Sequence, residues 1–161
     1  MRAGIGYDVH PLRPGLRLVL GGVRIDHECG LAGHSDADAV THAIMDALLG
    51  AACLPDIGVY FPVDDPRYEG ADSMELLRQV CALVAQAGFR PENVDCTIIA
   101  ERPKLAPHMP EMRRRMAAAL GLGETCVGVK ATTNEGLGFI GRGEGIAALA
   151  VATVTELQGK S

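Results

Sequence analysis

An α/β fold of the α+β kind, with helices packed on one face of a mixed β-sheet, is predicted by three features of the chain. These are its 161-residue length, its period-two apolar runs interspersed with period-3.6 runs, and the turn residues between them. That length fits one domain with a real core, so residues 1–161 are read as a single unit.

Residues 2–9 alternate as a strand, which puts Asp8 and His10 on one face and Val9 on the other, with Pro11 expected to end the strand. LRLVLGGVRI (16–25) reads as two strands, with Gly21 and Gly22 marking a turn or bulge. From Ser35 the pattern becomes helical: Val40, Ile44, Ala47, Leu48 and Ala51 share a stripe, Ser35 or Asp36 can cap it, and Leu54–Pro55 closes it. Residues 56–72, with two prolines and two glycines, form a connection long enough to be functional or mobile. Asp72 and Glu75 open a second helix through Leu76, Leu77, Val80, Leu83 and Val84, with Gly88 at its C-cap. A strand over 94–100, a helix over 110–120 closed by Gly121, and strands over 126–132 and 146–157 complete the order β-β-β-α-α-β-α-β-β.

The charge balance is acidic, with 15 Lys and Arg against 20 Asp and Glu and a net charge of -5. Its one basic run, Arg113–Arg114–Arg115, reads as a solvated helix face, so nucleic acid is not expected as a partner. The five cysteines, Cys29, Cys53, Cys81, Cys96 and Cys126, are odd in number and lack C-x-x-C spacing. They read as small buried fillers in a reducing compartment. No signal-peptide pattern and no apolar run of spanning length are present, so a cytoplasmic protein without membrane contact is expected. A hydrophobic fraction of 48% and a mean hydropathy of +0.15 point to an oligomer that buries part of its surface.

Two stretches concentrate chemistry. In HSDADAVTHAIMD (34–46), His42 falls off the apolar stripe onto a line shared by Asp38 and Asp46, with His34 just ahead of it. Together with Asp8 and His10 this makes a plausible metal site. Two His and one Asp suit zinc and leave the fourth tetrahedral position open to a substrate oxygen, with Asp46 expected to take the other ring N–H of His42. His27 and His108 lack such company and read as structural. In VKATTNEGLGFIGRGEG (129–145), Thr132 and Thr133 offer hydroxyls, Glu135 a hard oxygen for Mg²⁺, and Arg142 a cation in flexible backbone, a set that suits phosphate. The glycines there do not match the P-loop pattern.

GYDVHPL, GHSDADAVTHAIMDALLGAACLPDIG, FPVDDP, GADS, VDCTIIAERPKLAPHMPEMR and VKATTNEGLGFIGRGEGI run through nearly the whole chain. In this order they strongly resemble the 2-C-methyl-D-erythritol 2,4-cyclodiphosphate synthase family of the non-mevalonate isoprenoid pathway. The resemblance implies a cytosolic homotrimer with active sites between neighbouring subunits, and a substrate that is 4-diphosphocytidyl-2-C-methyl-D-erythritol 2-phosphate. The substrate's 2-phosphate attacks its β-phosphorus, closing a cyclic diphosphate and expelling CMP.

The same resemblance assigns zinc or a similar divalent ion to Asp8, His10 and His42, and Mg²⁺ or Mn²⁺, arriving with substrate, to Glu135. It makes His34 and Thr133 transition-state stabilisers. His34 and Ser35 would meet phosphate and erythritol, and Asp56, Ile57 and Gly58 the diol, while the loop Phe61, Pro62, Val63, Asp64 and Asp65 closes over them. Ala100, Glu101, Arg102, Pro103, Lys104, Leu105 and Ala106 would form the cytidine and phosphate pocket, and Thr132, Asn134, Phe139 and Arg142 complete the binding set. An isoprenoid diphosphate is a candidate occupant of a central cavity beside Arg142. Two positions depart from the family pattern: Val63 stands where relatives often carry Asp, and Gly136 where they often carry Lys.

The metal set alone also fits a zinc-dependent phosphoester hydrolase, in which the open position holds hydroxide. A metal-stabilised trimeric binding module is the non-enzymatic alternative.

Overall fold

The computed structural model describes residues 1–157, and the last four residues of the unit expected over 1–161 lie outside that range. A five-stranded mixed sheet has the order β4-β1-β7-β5-β6. Its strands are β1 (Arg2–Pro14), β4 (Cys29–Leu31), β5 (Phe89–Ile99), β6 (Val127–Thr132) and β7 (Gly145–Glu156). All neighbours are antiparallel except β5 and β6, whose parallel pairing is bridged by a helix, α4 (Met109–Leu120). A separate hairpin joins β2 (Leu18–Leu20) to β3 (Val23–Ile25).

The long helices α1 (Ala39–Ala51) and α3 (Ser73–Gln86) join α4 over one face of the sheet, as expected from the sequence. The core between them is built from aliphatic side chains such as Ile44, Leu48, Leu77, Ile98, Met112 and Ile146. The opposite face leaves apolar side chains in solvent: Ile5 is 67% and Tyr7 54% exposed, with Leu149 and Val151 beside them in register.

Several local expectations are corrected. Pro11 does not end β1, which continues to Pro14. Proline lacks only the donor, and its carbonyl still accepts the Ala32 N–H at 2.9 Å as the strand passes from β7 to β4. Strand β4 and the one-turn helices α2 (Ile57–Tyr60) and α5 (Gly138–Gly141) are too short for periodicity to reveal. The cap of α1 is Asp38 rather than Ser35 or Asp36. Its fully buried carboxylate accepts the Thr41 N–H at 3.1 Å and the Gly21 and Gly22 N–H groups at 2.9 and 2.7 Å, tying the hairpin turn to the helix. Asp72 caps α3 as expected, Ala87 rather than Gly88 is its C-cap residue, and Gly121 closes α4.

Helix α1 is buried on nearly every side, so the line holding Asp38 and His42 faces protein rather than water. The Arg113–Arg115 run is solvated, although Arg115 also donates to the Gly22 carbonyl at 2.7 Å. The five cysteines are free. Burial pushes the Cys96 thiol up to about 12 and that of Cys81 to about 11, which suits inert fillers, whereas Cys53 is exposed and is not one.

Candidate active site

The position of His42 follows from two glycines. Gly4 and Gly6 share a face of β1 with Asp8 and His10, and α1 lies directly on them. A Cβ at Gly6 would stand 1.9 Å from the Ala43 carbonyl oxygen, and one at Gly4 2.1 Å from that of Ala47. No larger residue permits this approach, and it brings His42, next to Ala43, against the strand where Asp8 projects.

Three donor atoms converge there. Asp8 Oδ2 lies 2.8 Å from His10 Nε2 and 3.1 Å from His42 Nδ1, and the two nitrogens are 3.3 Å apart. Ligand atoms of a tetrahedral zinc with bonds of about 2.0–2.1 Å stand roughly 3.3 Å from one another, so the set fits such an ion after small adjustments. It is the one such group among the described residues. Burial would raise the Asp8 carboxyl, but hydrogen bonds and charge from His10 and His42 outweigh it and hold the group well below the ordinary carboxylate range. Burial likewise works against the charged form of His10, yet its bond to Asp8 raises it. His10 Nδ1 lies 3.0 Å from the Ala32 carbonyl, which can only accept, so that nitrogen carries a proton and Nε2 is the one turned to the metal position.

Asp46 does not take the second N–H of His42. Its Oδ1 accepts the Ile57 N–H at 2.9 Å, and His42 Nε2 instead faces the hydroxyls of Ser73 at 2.9 Å and Ser35 at 3.1 Å. Asp46 thus anchors α2, whose N-cap is Asp56, rather than the metal ligand. Asp46→Ala is therefore expected to bind zinc as wild type does. It loses about 1 kcal/mol of loop anchoring and raises the substrate KM several-fold, which zinc titration and steady-state kinetics will read.

A pocket of about 210 Å³ opens beside the metal triad, lined by all three donors and by His34, Ser35, Ile57, Gly58, Phe61 and Val63. Met45, Tyr68 and Leu76 also line it. Leu76 reads from the sequence only as part of its helix's apolar stripe, and no motif singles out Met45 or Tyr68. Phe61 and Tyr68 meet edge to face at 5.3 Å. His34 Nε2 donates to the Asp65 carbonyl at 3.1 Å, joining the 61–65 loop to the pocket wall. The Asp65 carboxylate pairs with Arg67 at 2.6 Å, and Asp56, Pro62, Asp64 and Asp65 lie on the loop without lining the pocket. Val63, one of the two departures, is 74% exposed at its mouth.

A second cleft, of about 420 Å³, is lined by all of residues 100–106 together with Met109, Ala131, Thr132 and Thr133. It shares no lining residue with the metal pocket. Glu101 braces its rim, accepting the Asn134 N–H at 2.8 Å and that of Gly136 at 3.3 Å. Gly136, the other departure, sits at a φ of 74°, a left-handed conformation that a lysine adopts only at a cost. Thr133 Oγ1 donates to Glu135 Oε1 at 3.2 Å, but Glu135 lines neither pocket and is not gathered with the triad. Phe139 lines a third cleft with Val9, His10 and Arg13, and Arg142 is ion-paired to Glu144 at 2.6 Å.

No helix among the described residues is long and apolar enough to cross a membrane. The family model described as the YgbB family matches residues 1–155. The chain is 61% identical to the 2-C-methyl-D-erythritol 2,4-cyclodiphosphate synthase of Moorella thermoacetica, over 97% of this chain and 96% of that protein. Among solved structures, it superposes on the bifunctional IspDF of Campylobacter jejuni with a TM-score of 0.94 at 42% identity, covering 98% of this chain and 42% of that one. It superposes on a CDP complex of IspF from Plasmodium falciparum with a TM-score of 0.85 at 31% identity, over 98% and 97% of the two chains. On the match to nearly its whole length, the chain belongs to the YgbB family, among whose members are 2-C-methyl-D-erythritol 2,4-cyclodiphosphate synthases.

Proposed function

We propose that the chain is a 2-C-methyl-D-erythritol 2,4-cyclodiphosphate synthase acting in isoprenoid biosynthesis. A 2-phosphate oxygen of the cytidyl substrate attacks the β-phosphorus, the bond from that phosphorus to the α–β bridging oxygen breaks, and CMP leaves with the oxygen. The observation that carries this reading is the convergence of Asp8, His10 and His42 on one point at the wall of a pocket, in a chain 61% identical to a synthase. The named relatives give no support to the hydrolase alternative.

An anionic nucleophile must approach an anionic diphosphate, so positioning and charge neutralisation dominate the chemistry. Asp8, His10 and His42 would hold zinc or a similar divalent ion and Glu135 Mg²⁺ or Mn²⁺, and these ions supply positive charge to the diphosphate. His34 and Thr133, which here donate to the Asp65 carbonyl and to Glu135, would exchange those partners when substrate binds and donate to the charge that develops at the β-phosphate. Ser35 meets phosphate, and Asp56, Ile57 and Gly58 hold the diol. The cytidine occupies the cleft of residues 100–106, and the CDP complex of a structural relative supports a cytidine nucleotide as the ligand.

Because the metal pocket and the nucleotide cleft share no residue, we assign the complete site to two neighbouring subunits of a homotrimer. The exposed apolar sheet face around Ile5, Tyr7, Leu149 and Val151 supports burial against further copies. An isoprenoid diphosphate in the central cavity belongs to the same proposal, as does a cytoplasmic location.

Glu135→Gln is expected to keep its zinc while its rate falls and depends more steeply on added Mg²⁺, and an unchanged Mg²⁺ titration contradicts the role given to Glu135. The activity itself is tested by incubating the protein with the cytidyl substrate and Mg²⁺ and following phosphorus by NMR. Cyclic diphosphate equimolar with CMP is expected. A linear phosphate product contradicts the proposal, and binding without turnover favours the binding module.

A further inference from the structure

His42 can present Nδ1 to a metal only if its other nitrogen keeps the proton, and Asp46 is not placed to hold it there. Ser73, fully buried at the first turn of α3, is. Its hydroxyl lies 2.9 Å from His42 Nε2 and donates its single proton to Asp36 Oδ1. Both Asp36 oxygens already face backbone donors: Oδ1 the Asp38 N–H at 3.2 Å, and Oδ2 the Ser73 N–H at 3.0 Å. Asp36 is therefore an acceptor at both oxygens, the Ser73 proton is committed to it, and the lone pair that Ser73 turns to His42 can only accept.

We propose that Ser73 and Asp36 are positioning residues of the metal centre. Ser73 accepts the Nε2–H of His42, Asp36 holds Ser73 in that orientation, and the pair keeps the Nδ1 lone pair aimed at the point shared by Asp8 Oδ2 and His10 Nε2. The inference rests on the metal site proposed above. Ser35 also reaches Nε2, at 3.1 Å, but its oxygen is shared with the Ala37 N–H and its proton is not committed to a carboxylate, so it does not fix the direction of the bond.

The test uses the full chain with zinc as probe. Ser73→Ala is expected to weaken zinc binding about 10- to 100-fold, the usual cost of losing a partner of a metal-bound histidine. Asp36→Asn is expected to do the same, since its amide sets N–H against one of the donors that Asp36 now receives, and Ser35→Ala is expected to bind zinc as wild type does. In ¹⁵N NMR of the zinc-loaded protein, the His42 Nε2–H of wild type should exchange slowly with water, and in Ser73→Ala it should exchange at least ~10-fold faster once its buried acceptor is gone. Circular dichroism confirms folding, and Asp36→Asn stands in if Ser73→Ala does not fold.

Wild-type zinc affinity and slow Nε2–H exchange in folded Ser73→Ala or Asp36→Asn overturn the inference and leave the metal site intact. Their appearance as losses in Ser35→Ala alone also overturns it. A wild-type protein that binds no zinc overturns the metal site and the inference together.

Discussion

His42→Ala is expected to lose its bound zinc and nearly all activity while remaining folded. Removing the imidazole deletes one of three donors that meet within 3.3 Å, and two ligands do not retain the ion at neutral pH. If the lost charge neutralisation is worth ~4 kcal/mol, the rate falls roughly 10³-fold. The fold survives because leaving the Ser73 and Ser35 hydroxyls without their imidazole partner costs about 1–3 kcal/mol, against a total stability of about 5–15 kcal/mol for a domain. Metal analysis of the purified variant, with circular dichroism, checks both halves. Stoichiometric zinc in a folded His42→Ala protein contradicts the ligand assignment.

The second large effect concerns assembly. His42→Ala and Lys104→Asp are each expected to be inactive, because one removes the metal half of every site and the other puts an anion into the nucleotide cleft. If the complete site lies between neighbouring subunits of a homotrimer, as proposed, each metal half in a trimer containing both chains faces the cleft of the next subunit. Whichever chain is in excess, one junction of the ring pairs an intact metal half with an intact cleft, so a purified mixed trimer should recover about one third of wild-type activity. Mixed trimers that stay inactive, with both variants folded and trimeric, contradict the shared site and favour sites confined to one subunit.

The half of the site carried by β1 was legible because a strand's period of two needs only local sequence: Asp8 and His10 share a face as their spacing requires. The cleft lined by residues 100–106 was pointed to by the family resemblance alone, since no local periodicity in that stretch marks it. What surrounds His42 was not. Helical projection placed Asp46 one turn away on the same line, but α1 is sandwiched between sheet and α3, and the side chain that meets Nε2 comes from Ser73, 31 residues downstream. Nothing in the local pattern of GADS distinguishes a hydroxyl that caps or lines a turn from one that faces an imidazole. Gly4 and Gly6 likewise read as strand punctuation, and only the packing of α1 shows that they set the distance from His42 to Asp8. The cap of α1 was misplaced because Ser35 and Asp36 are both good capping residues, and the choice of Asp38 depends on the Gly21–Gly22 turn that it also holds.

The central claim is that the attacking oxygen belongs to the substrate and not to water. Running the reaction in ¹⁸O-enriched water and examining the products by ³¹P NMR tests it directly, since each ¹⁸O bonded to phosphorus shifts its resonance. Cyclisation predicts a cyclic diphosphate and CMP that are both free of the label. A linear product whose former β-phosphate carries one ¹⁸O would mean that a hydroxide attacked, and would replace the synthase with a metal-dependent hydrolase.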